Sequence, residues 1–266
     1  MKKFLIIVGI IFAASFVAFG ISVAATGINV KSGFGVSIAG TPLIKISEGK
    51  EMKRGEVYTS SFPKAESEKV SKLKISTSSA ETRIYCDESA NEIRVNFTAN
   101  RFGTNFTAEI QDDELVVDES GFGIFFLFFW QNGENRLEIT LPKAEYEKMT
   151  INTASGSVKV DDLIFEDFNS SSASGTSEYK IFADNIKAFT TSGRTTIINC
   201  TDKKASSLSF DTTSGSHSIS GFTADSFHIG TTSGKVVADG LSGEGDIDLT
   251  SGVIELTYAE WDSDLD

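Results

Sequence analysis

Six of the Ser-Gly pairs in the second half of the chain recur at near-constant spacing, and this period limits the fold more than any other feature. They are Ser155-Gly156, Ser174-Gly175, Ser192-Gly193, Ser214-Gly215, Ser233-Gly234 and Ser251-Gly252, with glycine-to-glycine steps of 19, 18, 22, 19 and 18. A period near 20 residues matches one coil of a β-solenoid, whereas paired-helix repeats need longer units and a propeller blade needs four strands.

The flanks of each pair define the coil. Four copies read Thr-Ala-Ser-Gly or Thr-Thr-Ser-Gly, beginning at Thr153, Thr190, Thr212 and Thr231; the others begin at Ser172 and Leu249. Apolar residues alternate with polar ones before the pair, as in Met149 and Ile151, Leu208 and Phe210, or Phe227 and Ile229, and again after it, as in Val158 and Val160 or Ile254 and Leu256. Period two is the strand signature, so one coil is strand, tight turn, strand, connection. Gly156, Gly175, Gly193, Gly215, Gly234 and Gly252 are the expected corners, because glycine alone enters positive φ without steric cost. Coils about 4.8 Å apart would lay the Thr and Ser side chains of successive corners over one another. That ladder reads as structural, with a sugar- or ice-binding hydroxyl row as the alternative. No proline follows Pro142, which leaves every backbone N–H free for stacking.

The chain opens Met1-Lys2-Lys3 and continues with an apolar run from Phe4 to Ala25. About twenty apolar residues span a bilayer, and flanking lysines favour a cytoplasmic N-terminus. Residues 1–25 are therefore expected to be a transmembrane helix that tethers the chain to the cell membrane in a single pass. Ser22-Val23-Ala24 also fits a signal-peptide cleavage site. Either reading puts the rest of the chain on the extracytoplasmic side. The net charge of −13 argues against nucleic acid as a partner.

Residues 26–70, rich in Gly, Ser, Lys and Glu, read as a juxtamembrane stalk, and 71–145 as an antiparallel β-rich portion that covers the first coil. Within it, Leu73 to Ala80 resembles a degenerate first copy of the repeat, with Ala80 in the glycine position. The solenoid is expected over 146–258 and an acidic tail over 259–266. Within 71–145 lies Gly121 to Trp130, which is too short to span a membrane. It reads as a buried strand or hairpin; alternatively Phe125, Phe126, Phe128, Phe129 and Trp130 form an exposed aromatic loop that docks a bilayer or a partner.

The chemistry-bearing residues are sparse. Cys86 and Cys200 are the only cysteines, and an exported context permits a disulfide between them, although Cys86 also shares the register of buried Ile84. His217 falls in the apolar register of Val158, Val236 and Ile254 and reads as a hydrogen-bonded or edge-located histidine; His228, between Phe227 and Ile229, should face solvent. Asp112-Asp113 and Asp161-Asp162 lack the ligand spacing of a calcium loop. No nucleophile motif accompanies the histidines. Neither a metal nor another cofactor is expected, and the chain reads as non-enzymatic.

These residues resemble the bacterial putative-adhesin family of unknown function, whose members join an N-terminal membrane segment to a β-rich domain with repeated Thr-Thr-Ser-Gly turns. The resemblance runs from about Lys72 to Tyr258 and includes Ile75 to Ala80, the Leu137-Glu138-Ile139-Thr140-Leu141-Pro142 strand and all six Ser-Gly corners. It implies an all-β protein with a right-handed, single-stranded β-solenoid displayed at the cell envelope, and it carries over no catalytic residues. Three roles follow: a surface module that contacts an envelope protein, a cationic peptide or a glycan; a passive spacer; or a carbohydrate-active β-helix enzyme, which would require carboxylates converging in a groove.

Overall fold

The structure, a computed structural model, describes residues 37–38, 41–42, 50–101, 104–121 and 133–258. Beyond a small antiparallel pair, β1 (Ser37–Ile38) with β2 (Thr41–Pro42), the described strands form one β-solenoid of about six turns. The strands are β3 (Lys50–Met52), β4 (Val57–Phe62), β5 (Lys72–Thr77), β6 (Glu81–Cys86), β7 (Ile93–Thr98), β8 (Thr104–Gln111), β9 (Glu114–Gly121), β10 (Arg136–Leu141), β11 (Glu145–Thr153) and β12 (Ser157–Ser172). They continue with β13 (Thr176–Thr190), β14 (Arg194–Asn199), β15 (Lys204–Thr212), β16 (Ser216–Ser220), β17 (Thr223–Thr231), β18 (Lys235–Leu249) and β19 (Val253–Tyr258). The one described helix, α1 (Lys64–Ser67), is a single turn.

Two parallel sheets face each other across the interior. The first stacks β9, β5, β11, the second halves of β12 and β13, β15, β17 and the second half of β18. The second stacks β10, β6, the first halves of β12 and β13, β14, β16, the first half of β18 and β19. Between them lies one continuous core, in which Leu73, Ile151, Phe168, Ile186, Phe210 and Ile229 come from the first sheet and Ile84, Val160, Tyr179, Ile197, Ile219 and Val236 from the second. The alternating residues noted in the sequence are these inward positions.

The Ser-Gly corners join the sheets, and the parallel ladder passes through them without a break. Between successive copies Thr191 N donates to Ser172 O at 3.0 Å, Ser192 N to Ala173 O at 2.8 Å and Arg194 N to Gly175 O at 2.9 Å. The reason for glycine differs from the expectation. None of the six corner glycines has positive φ; the left-handed backbone sits in the opposite bend, at Asp162, Gly221 and Gly240. The corners need glycine because each one lies directly over the carbonyl oxygen of the corner before it. A Cβ on Gly193 would sit 2.5 Å from Gly175 O and 2.8 Å from Thr190 Oγ1, and one on Gly234 2.5 Å from Gly215 O.

At three of the corners the threonine three residues before the glycine points inward and caps it. Gly193 N donates to Thr190 Oγ1 at 3.1 Å, Gly215 N to Thr212 Oγ1 at 2.9 Å and Gly234 N to Thr231 Oγ1 at 2.9 Å. These threonines are buried, whereas the corner serines are exposed. Ala80 stands in the glycine column as the sequence suggested, beneath Gly156.

The N-terminal portion is more regular than its sequence. β5 and β6 form a coil, and so do β9 and β10, which pair in parallel on the far side of β5 and β6. The chain therefore adds one coil below its first and then passes over it to begin β11. Only β3, β4, β7 and β8 are antiparallel additions, closing the edges of β9 and β10. Residues 50–62, part of the stretch read as a stalk, thus supply two strands of the sheet. A small aromatic cluster seals this end, with Phe97 stacked on Phe106 at 4.1 Å and Tyr58 edge-on to Phe106 at 5.0 Å.

In this end coil Glu119 occupies the threonine column opposite Thr77. Its buried carboxylate accepts from Ser78 N at 2.6 Å, Ser78 Oγ at 2.9 Å, Ser79 N at 3.1 Å and the Asn135 amide at 2.8 Å. The side chain does here what the preceding corner's carbonyls do elsewhere.

The close approach at the corners is testable. Gly193→Ala should destabilise the protein by about 3 kcal/mol, the upper range for an extra carbon in a packed site. Ser192→Ala, exposed one residue earlier, should stay within about 0.5 kcal/mol of wild type. Chemical denaturation of both variants reads the difference; equal stabilities would refute the steric account.

Candidate interaction surfaces

Because the side-chain period is two, each sheet presents outward columns set by the corner register. On the second sheet the lysines of these columns are paired with carboxylates. Lys159 lies 3.2 Å from Glu178 and 3.4 Å from Asp161, Lys180 2.7 Å from Asp162, Arg136 3.4 Å from Glu81 and Lys235 2.8 Å from Glu255. The hydrogen bond to Glu178 raises the Lys159 pKa, and that to Asp162 raises the Lys180 pKa. Such exposed pairs add little stability. They do leave Lys159, Lys180 and Lys235 each beside a carboxylate.

The first sheet differs. Six residues before the corner glycines stand Thr150, Asn169, Lys187, Ser209, His228 and Asp246, and four residues before them Asn152, Ser171, Phe189, Asp211, Gly230 and Asp248. Long side chains on the coil of Phe189 rise between short ones on either side, and a groove of about 410 Å³ forms along them, lined by Thr150, Asn152, Asn169, Lys187, Phe189 and Asp211. Phe189 is half-buried, Lys187 is exposed, and among the described residues no ion pair reaches Lys187. Asp211 at the groove's edge accepts from Ser209 Oγ at 3.3 Å and lies 3.4 Å from His228. The groove offers a ring edge, two primary amides, a cation and a carboxylate, a set suited to polar ligands and to polypeptide backbone.

A second hollow, about 480 Å³, opens at the bend opposite the Ser-Gly corners. Tyr146, Phe165 and Phe182 form its floor, with Lys143 4.7 Å over the Tyr146 ring and Lys203 5.7 Å over the Phe182 ring. Burial pushes the Tyr146 phenol well above its ordinary pKa, so it stays protonated at physiological pH. Glu145, Glu147, Glu166 and Asp184 stand around the rim, the three glutamates exposed.

The residues singled out from sequence distribute as follows. Gly156, Gly175, Gly193, Gly215 and Gly234 are buried and Gly252 is half-buried, so all six are structural. Phe125, Phe126, Phe128, Phe129 and Trp130 lie outside the described residues, as does the Phe4 to Ala25 run. Among the described residues no helix is long and apolar enough to cross a membrane, and no group of three His, Cys, Asp or Glu side chains is placed to hold a metal ion. Cys86 and Cys200 are free thiols, unbridged to each other, and burial raises the pKa of both. The groove residues were missed because no motif marks them; aligning the copies on their glycines and reading positions minus six and minus four would have found them.

His217 lies inside, in the column of Thr195 and Val236. Its Nε2 bonds the Asp211 carbonyl at 2.8 Å, which makes Nε2 the protonated nitrogen and leaves Nδ1 buried without a partner. The Phe210 ring lies 6.1 Å away. Burial lowers the His217 pKa below its ordinary 6.5.

The fold defines a class: a β-solenoid scaffold with a regular core and outward columns that differ from coil to coil. Residues 70–266 match the family model described as Toastrack DUF4097, and the chain belongs to this family. No curated protein matches it. Among solved structures it is similar to a "putative cell adhesion protein" from Clostridium sporogenes, at 10% identity, covering 76% of this chain and 100% of that one, with a TM-score of 0.42. It is also similar to a "putative lipid binding protein" from Parabacteroides distasonis, at 12% identity, covering 78% and 98%, with a TM-score of 0.43. A "putative adhesin" from Parabacteroides merdae matches at 11% identity, covering 78% and 100%, with a TM-score of 0.37. Similarities this distant transfer no role.

The interior histidine yields a pH dependence. A group whose folded pKa is depressed below its unfolded value binds more protons when unfolded, so stability is full above about pH 6.5 and falls as pH drops toward the folded pKa. The slope contributed by one histidine is at most about 1.4 kcal/mol per pH unit. His217→Val, which copies Val236 in the next coil, should flatten the stability profile between about pH 6.5 and 5 relative to wild type. Parallel profiles for the two proteins would contradict this.

Proposed function

We propose that the protein is a non-enzymatic, membrane-tethered module of the cell envelope whose right-handed solenoid binds a protein, peptide or glycan through the groove on its first sheet. The observation that carries this reading is the difference between the two outward surfaces. The lysines of the second sheet are paired with carboxylates, whereas the first gathers Lys187, Phe189, Asn152 and Asn169 around an open groove. The apolar run after Lys2 and Lys3 would supply the tether and hold the domain outside the cytoplasm. Parallel crossover connections are nearly always right-handed, which supports the hand of the coil.

The carbohydrate-active alternative is favoured by one observation, the four carboxylates around the hollow at Tyr146. Against it stands the exposure of Glu145, Glu147 and Glu166, since a general acid at neutral pH needs a carboxyl shielded from water.

Capture of isolated envelope material by the immobilised protein tests the groove. A double variant, Lys187→Glu with Phe189→Ser, should weaken capture at least tenfold at unchanged melting temperature, while Lys159→Glu on the opposite sheet should not. Equal loss in both, or in neither, would remove the groove from the account. Release of reducing ends from envelope glycans by wild type, abolished in Glu166→Gln, would instead establish the enzyme.

A further inference from the structure

The two ends of the stack are finished differently. At one end β8 and β7 pair with β9 and β10 and close the sheet edges. At the other, the second half of β18 bonds only β17, and β19 bonds only the first half of β18, among the described residues. Both strands present a row of backbone donors and acceptors to whatever lies beyond them.

The inward columns continue into this last coil without being covered. Ile247 follows Ile229 and Leu249 follows Thr231. Ile229 is 0% exposed and Thr231 5%, yet Ile247 is 43% and Leu249 52% exposed. The outward positions of the same strand are Glu244, Asp246 and Asp248, all exposed, and they face Ser226, His228 and Gly230 on the neighbouring coil. No lysine or arginine stands opposite them there. On β19, by contrast, Glu255 is engaged by Lys235 at 2.8 Å.

We propose that this open edge accepts, by strand addition, an extended segment of a partner protein in which apolar residues alternate with lysine or arginine. Backbone bonds to β18 would supply the common affinity, and the alternation would supply the choice of partner. The partner's apolar side chains would extend the Ile247 and Leu249 columns and complete the burial of the core. Its cations would stand across from Glu244, Asp246 and Asp248, where opposite charges on adjacent strands attract and like charges repel. The same carboxylates disfavour a second copy of this chain, whose own edge carries Glu244, Asp246, Asp248 and Glu255. They also disfavour residues 259–266, which hold Glu260, Asp262, Asp264 and Asp266. This site is separate from the groove at Lys187 and does not depend on it.

The capped heptapeptide Lys-Val-Lys-Ile-Lys-Val-Lys is the probe, with its Glu-Val-Glu-Ile-Glu-Val-Glu counterpart as control. Added to the detergent-solubilised full chain, the lysine peptide should slow amide hydrogen exchange across residues 244–257, and the glutamate peptide should not. Asp246→Lys with Asp248→Lys should weaken lysine-peptide binding at least tenfold and remove the protection, while the Lys187→Glu, Phe189→Ser variant should retain both. Three results would overturn the proposal. They are peptide binding without protection at 244–257, amides there already protected in the free monomer, which would mean that the chain covers its own edge, and a wild-type dimer in sedimentation that protects the same amides.

Discussion

One contact governs this molecule: at every Ser-Gly corner the Cα of glycine rests on the carbonyl oxygen of the corner beneath it. Strands in a parallel sheet lie about 4.8 Å apart, and the corner must hold that spacing while the chain changes direction. A side chain at Gly193 or Gly234 would occupy the space of the oxygen below. With glycine there, Thr191 N, Ser192 N and Arg194 N all reach acceptors in the previous coil, and the ladder turns the corner intact.

The buried hydroxyls follow from that turn. A backbone that bends inside a packed stack leaves one N–H pointing inward, and an unpaired buried N–H costs about 1–3 kcal/mol. Thr190, Thr212 and Thr231 meet that N–H in their own coils. The column ends in two different ways, with the carboxylate of Glu119 where no regular corner lies beneath and with Leu249 where no described coil lies above. At the first end antiparallel strands pair the edges of β9 and β10, and among the described residues the second is open. A stack of identical coils would have no such polarity; it arises from the residues that replace threonine at the ends.

Once corners and columns are fixed, outward positions are free to vary, because nothing in the ladder depends on them. Lys187, Phe189 and Asn169 can therefore form a groove on one sheet while Lys159, Lys180 and their carboxylates pair on the other. The fold supplies spacing and rigidity, and the outward columns supply what differs between coils.

The repeat, the strand–corner–strand coil, the apolar register of His217 and the role of Ala80 as a glycine substitute were all readable from the sequence, because periodicity and local sterics are properties of neighbours along the chain. The coil made by β9 and β10 was not, since the Ser120-Gly121 pair that ends β9 falls outside the regular spacing of the repeat and their partners β5 and β6 lie far away in sequence. Nor was the true reason for the corner glycines, which is a clash with an atom about twenty residues earlier rather than a local φ requirement. The sequence by itself determined a stacked β coil with alternating inward residues. Only the tertiary structure decided which coil lies on which, and so which outward residues share a groove and which edge stays open, because those depend on contacts between residues that the chain order does not bring together.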